Sequence, residues 1–186
     1  MRRAFRYLLV ILLPLAVLLT RPATSALVLA LGKEIRLPAL PVDPRDIFRG
    51  DYVDLRFNIE EIPVEQADPT LLRRLKEEKE KTGDAALSSE WVYVALAPDE
   101  KGIYRPVRVT ETPSSEEICI RGRVELSYDQ SELYIDYGSS LKRFYVKENT
   151  GFDLERAGWA GNLEALVRVW KNRAVLDRLE VTEKRE

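Results

Sequence analysis

Between residues 91 and 181 the chain repeats one device: a short run in which apolar and polar side chains alternate, closed by turn-forming residues. "WVYVALA" (91–97) turns at "PDEKG" into "IYRPVRVTE" (103–111). "EICIRGRVELSY" (117–128) turns at "DQS" into "ELYIDYG" (132–138), and "KRFYVKE" (142–148) meets "NTG". "LEALVRVW" (163–170) and "AVLDRLEV" (174–181) form a hairpin joined by "KNR". A period of two is the signature of a half-buried strand, and strands so closely spaced leave no room for alternating strand and helix units. The expected fold is mainly β, a small sandwich or barrel of about eight strands. Two earlier segments join it. "KEIRLPAL" (33–40) reads as a short strand ended by Pro41. In residues 52–59, Val53, Leu55, Phe57 and Ile59 face one way and Asp54, Arg56 and Asn58 the other.

One helix interrupts the strands. In "ADPTLLRRLKEEKEKTGD", Asp68 is suited to the N-cap and Pro69 to the first turn, and Leu71, Leu72 and Leu75 make a short apolar stripe. Gly83 suits the stop. The sequence predicts a surface helix inserted near residues 68–82, with the charged residues 76–81 as its solvated face.

The amino terminus has a different character. "MRRAFRYLLVILLPLAVLLTRPATSALVLALGKE" holds four arginines and no acid in residues 1–32, and residues 7–20 are uncharged. As a signal peptide it would exit at Thr24-Ser25-Ala26, with cleavage after Ala26. As an anchor, residues 7–31 make one helix longer than the ~20 residues needed to cross a bilayer. The anchor is favoured, with Arg21 snorkelling toward an interface. The expected partition is therefore a membrane segment over 1–32 and a β-rich domain over 33–186. The basic end stays cytoplasmic, so the protein is expected to be single-pass in the bacterial cytoplasmic membrane with its C-terminal domain outside.

Composition excludes several chemistries. The body beyond residue 32 carries 29 − 4 = 25 basic against 31 acidic groups. That acidic balance argues against nucleic acid as a partner. With no histidine, a Ser-His-Asp triad and any His-ligated metal are impossible. The single cysteine, Cys119, permits no intrachain disulfide and no cysteine cage for zinc, and it reads as a buried strand thiol. No cofactor is expected.

The densest cluster of special residues is "PVDPRDIFRGDYVDLRF", residues 41–57. Local chemistry accounts for part of it. Asp43 before Pro44, with Asp46 three residues past the cap, has the form of a capping box, and Gly50 can close the turn in the left-handed region. Arg45, Arg49, Asp51 and Tyr52 are left without a structural task. The stretch resembles the signature of the GDYXXLXY family, membrane-anchored bacterial proteins lacking an assigned activity. Gly50, Asp51, Tyr52 and Leu55 match the name, and Phe57 stands where the name has tyrosine, which marks that position as mainly packing. "YGSSLKRFYVKENTGFDLE" is similar to the family's second block and supplies Tyr137, Gly138, Phe144, Glu148, Gly151 and Glu155, with Asn149 in place of a loop glycine.

Several functions can be weighed on these residues. Asp43, Asp46, Asp51, Glu148 and Glu155 could together offer oxygens to a hard cation, but without EF-hand spacing, and Arg45 and Arg49 more simply pair with the acids. Paired carboxylates of a glycosidase type need a separation that a linear sequence does not show. Ser139-x-x-Lys142 spells a serine–lysine spacing, expected here to fall between a glycine and a strand, where it puts the side chains on different faces. Tyr93, Tyr104, Tyr128, Tyr134 and Tyr137 fit strand packing better than a sugar- or peptide-binding surface. The expected function is binding or scaffolding outside the cytoplasm. Its polar loop consists of Asp43, Arg45, Asp46, Arg49, Gly50, Asp51, Tyr52, Glu148 and Glu155, and its partner is another membrane or envelope protein. The alternative is a Ser/Lys-type envelope hydrolase distantly like signal peptidase.

Overall fold

The computed structural model describes residues 2–43, 52–82, 90–145 and 151–182. Among the described residues ten strands form two five-stranded antiparallel sheets. The first has the order β10-β9-β1-β2-β8, built from β1 (Lys33–Asp43), β2 (Tyr52–Phe57), β8 (Arg143–Tyr145), β9 (Leu163–Trp170) and β10 (Arg173–Val181). The second has the order β3-β7-β6-β4-β5, from β3 (Glu61–Pro63), β4 (Trp91–Pro98), β5 (Tyr104–Thr110), β6 (Ile118–Leu126) and β7 (Glu132–Asp136). The mainly β expectation holds. Inward side chains of both sheets share one core, among them Ile35, Leu37, Val53, Leu55, Val94, Ile120, Leu133 and Val167. The alternation read in residues 52–59 is realised: Val53, Leu55, Phe57 and Ile59 are all buried. Cys119 is a buried free thiol on β6, and burial raises its pKa.

Strand β1 runs past Pro41, where the sequence reading ended it. Its first half, residues 33–38, pairs with β9, and its second half, from Ala39 to Asp43, pairs with β2. Each half has one ladder partner, so a proline lacking an N–H is tolerated there as it is on an edge strand. The β9–β10 hairpin turns through Lys171 and Asn172, both at positive φ, as a two-residue primed turn requires.

Among the described residues four α-helices accompany the sheets: α1 (Arg2–Leu31), α2 (Pro69–Thr82), α3 (Ser139–Lys142) and α4 (Gly151–Trp159). Helix α2 follows the sequence closely. The Asp68 carboxylate accepts the Thr70 N–H at 2.8 Å, while Leu71 and Leu75 are buried in the core. Its charged run is not wholly solvated. Lys79 Nζ donates to the Ser127 carbonyl at 2.7 Å and stands 5.6 Å from the Tyr128 ring centre; ahead of the run, Arg74 pairs with Glu90 and Glu111. Helices α3 and α4 were missed by the sequence reading. The strand expected over 142–148 begins one residue later, after the α3 turn, and is described to Tyr145.

Helix α1 continues through Pro14 and Pro22 for 30 residues, roughly 45 Å at 1.5 Å per residue. Val17 and Leu18 are 64% and 74% exposed, whereas Val28 is buried against β9 and β10. Among the described residues no helix is long and apolar enough to cross a membrane; the side chains of residues 1–11, 13, 19 and 21 lie outside that description.

Helix α4 rests on β1 because residue 158 has no side chain. A Cβ there would lie 2.1 Å from Pro41 Cδ and 2.6 Å from Cγ. In an open helix, Gly→Ala stabilises by about 1 kcal/mol. Here Gly158→Ala must push α4 off the Pro41 ring, so it is expected to destabilise the full chain by roughly 1–3 kcal/mol. Urea unfolding in mild detergent, followed by tryptophan emission, checks the sign; a raised midpoint would refute the close packing.

Candidate functional site

The two sequence blocks singled out above meet in space. Strand β2, which carries the "YVDLRF" end of the first, pairs with β8 of the second in the register Val53↔Phe144 and Asp54↔Arg143, and Arg143 Nε lies 3.3 Å from Asp54 Oδ1. The named leucine and aromatic positions point into the core: Leu55 is 2% exposed and Phe57 4%. A tyrosine hydroxyl at 57 would need a buried partner; phenylalanine needs none. The tyrosine–glycine pair of the second block is also structural. Tyr137 donates its hydroxyl to the Ile59 carbonyl at 2.8 Å, and burial holds its pKa well above the usual value, so it remains a donor. Gly138 takes φ 79°, turning the chain from β7 into α3.

Opposite the core, the polar face of β2 looks onto a groove. One lobe of about 580 Å³ is lined by Arg56, Glu60, Glu61, Arg123, Tyr134, Asp136 and Lys142, among others. A second lobe of about 500 Å³ shares Arg56, Glu60, Asp136 and Lys142 and adds Val42, Asp54, Ser139 and Arg143. Both volumes lie in the range of ligand sites, but the lining is far more polar than that of a typical small-molecule pocket. Charges of both signs are interleaved. Lys142 Nζ contacts Asp136 Oδ1 at 2.9 Å, and that hydrogen bond, with the Gly138 N–H, holds the Asp136 carboxyl below its ordinary pKa. Glu60 behaves oppositely. Its carboxyl is pushed up to about 7 by burial, with Lys142 and Arg56 opposing the rise and Asp136 adding to it. Its Oε1 is buried without a hydrogen-bond partner among the described residues. The groove therefore offers fixed cations, a fixed anion and one carboxyl that changes state near neutrality.

Residues 14–179 match the family described as GDYXXLXY protein. The chain belongs to the GDYXXLXY family. No curated protein and no solved structure matches it.

The family signature thus splits across this structure. Of the loop residues expected to bind, Arg45, Asp46, Arg49, Gly50, Asp51 and Glu148 lie outside the described residues, as do the side chains of Asp43, Tyr52 and Glu155. The backbone of Asp43 ends β1 opposite Asp54, beside the second lobe. Among the described residues no cluster of three or more acids or thiols could hold a metal ion. Ser139 and Lys142 share the single turn of α3, not the strand-side placement expected from the sequence, and both line the second lobe. Sequence reasoning missed Glu60, Glu61, Arg123 and Asp136. The signal available was positional: Glu60 and Glu61 follow the alternating strand directly, and Asp136 immediately precedes Tyr137-Gly138.

The raised Glu60 pKa sets a pH dependence of definite sign. Below about pH 4.5 the carboxyl is neutral both folded and unfolded and carries no penalty. As pH climbs from 4.5 to 7 the unfolded chain ionises first, so stability falls, and above 7 the loss is complete. Glu60→Gln should stabilise the protein at pH 8 by on the order of 1 kcal/mol, allowing for partial exposure, and the gain should vanish below pH 4.5. A carbon-detected NMR titration of the Glu60 carboxyl tests the cause directly: a midpoint below 5 would contradict it.

Proposed function

We propose that this GDYXXLXY protein is a membrane-anchored binding protein that displays its mixed-charge groove outside the cytoplasm to a membrane or envelope partner. The observation that carries the reading is the groove itself, built where the two family blocks meet and lined by the polar face of the signature strand. Interleaved charges of both signs favour a partner that presents both, such as a polypeptide segment, over a small apolar ligand. Exposed Tyr134 supplies an aromatic contact beside those charges. The anchor follows from the arginine-flanked apolar leader. Its support is the unbroken helix over residues 2–31, with exposed leucines along it. Ala26 lies inside that helix, five residues before its last residue, Leu31, which favours retention over cleavage.

A second reading rests on α3. Ser139 and Lys142 stand on one helical turn at the groove, the spacing of a serine–lysine pair. Lys142 is, however, already engaged by the Asp136 carboxylate at 2.9 Å. Labelling of Ser139 by a fluorophosphonate probe would promote this hydrolase reading, and a clean negative would retire it.

Binding is tested by a photo-crosslinking residue at Tyr134 in cells. The expected result is a discrete crosslinked partner, lost with Arg56→Glu and retained with the distant Lys101→Glu. Crosslinking indifferent to Arg56 would refute the groove. Topology is tested separately: protease added to intact spheroplasts should remove a tag fused after Glu186.

A further inference from the structure

Where α1 meets the sheets there is a second cavity, of about 260 Å³, that the groove does not use. Thr24, Ser25 and Val28 of the helix form one wall, and Arg121 of β6, Trp91 of β4 and Asn172 and Arg173 of the β9–β10 hairpin form others. No described residue lining it is acidic. Eight arginines, from Arg36 to Arg178, have carboxylate partners; among the described residues Arg121 and Arg173, like Arg56, Arg123 and Arg156, have none. The site is held rigidly. Arg121 donates its backbone N–H to the Asn172 carbonyl at 2.9 Å, which ties the hairpin turn of one sheet to a strand of the other. Its guanidinium lies 4.1 Å from the Trp91 ring centre, with Arg123 at 5.1 Å from the same ring, and Lys171 stands 4.5 Å from Trp170.

We propose that this cavity seats the phosphate of an anionic phospholipid headgroup. Two arginines from different strands, with Ser25 and Asn172 in the same lining, suit a phosphodiester, which accepts several charge-assisted hydrogen bonds at once. The lipid source is indicated by what lies beside the cations. On the same turns of α1, Leu27 and Leu31 are 45% and 58% exposed. A cationic pocket flanked by apolar helix surface and by cation-covered tryptophans matches a molecule that is anionic at one end and hydrocarbon at the other. A soluble phosphate ester would use the arginines and leave those leucines in water. The assignment rests on α1 being held in a bilayer, as proposed above.

The test uses the full chain in nanodiscs of phosphatidylcholine, alone or with one-third phosphatidylglycerol, each carrying a trace of lipid spin-labelled at the headgroup. Tryptophan quenching is expected to be at least about two-fold stronger in the anionic discs. Arg121→Gln combined with Arg173→Gln should return it to the zwitterionic level. The charge-matched pair Lys76→Gln and Lys81→Gln on α2 should not, and an unchanged urea midpoint shows that each variant is folded. Equal quenching in the two lipids, or full quenching in the arginine variant, overturns the proposal. So does an emission change with glycerol phosphate in zwitterionic discs that matches the anionic-lipid response, since the ligand is then soluble. If the chain elutes free of discs, the anchor reading fails, and the cavity is judged by flotation with phosphatidylglycerol vesicles. Flotation lost in the arginine variant supports the headgroup site, and flotation absent or unchanged refutes it.

Discussion

Strand β1 divides its hydrogen bonding between two neighbours, and most of the architecture depends on that division. Residues 33–38 belong to β9 and residues 39–43 to β2, so one strand joins the hairpin beneath α1 to the strand pair that carries the family signature. A strand paired along its full length on both sides would exclude Pro38 and Pro41. The split arrangement accepts them, and it uses the Pro41 ring as the seat for α4. The same strand buries Ile35, Leu37 and Ala39, linking its two halves through one core.

The groove obtains its unusual electrostatics from its position between the sheets. Glu60 follows β2 and its backbone carbonyl accepts the Ile135 N–H at 2.8 Å, which fixes the residue where the β2–β3 connection touches β7. Fixed so, its carboxyl loses water faster than Arg56 and Lys142 can compensate. Lys142 is meanwhile committed to Asp136. Tyr137 secures the same connection from beneath through Ile59, so the second family block acts as a clamp on the exit of the first.

Much of the fold was legible because it is written in short-range patterns. Alternation at Val53, Leu55 and Phe57, the Asp68 cap and the hairpin through "KNR" each need only their neighbours. What escaped depends on contacts distant in sequence. Helix α4 has a glycine near its end, a feature that ordinarily weakens a helix; it becomes intelligible only with Pro41 beneath it. The charged face of α2 looked solvated because Lys79 finds its carbonyl partners on β6 and just after it, far along the chain. The groove was hidden for the same reason. Arg56 and Tyr134 were noticed as a strand's polar face and as one of several tyrosines, but their meeting with Glu60 and Asp136 is a product of sheet packing.

A single residue, Gly32, separates the end of α1 from the start of β1, and it is gripped from both sides. Its N–H donates to the Val28 carbonyl at 2.8 Å, its carbonyl accepts from Arg168 at 3.4 Å, and a Cβ would fall 2.4 Å from the Val28 oxygen. Such a joint has no slack to swivel. Tilting or twisting the helix therefore re-aims the whole β body as a mast turns a vane, and the compass heading of the groove is decided by whatever grips the mast.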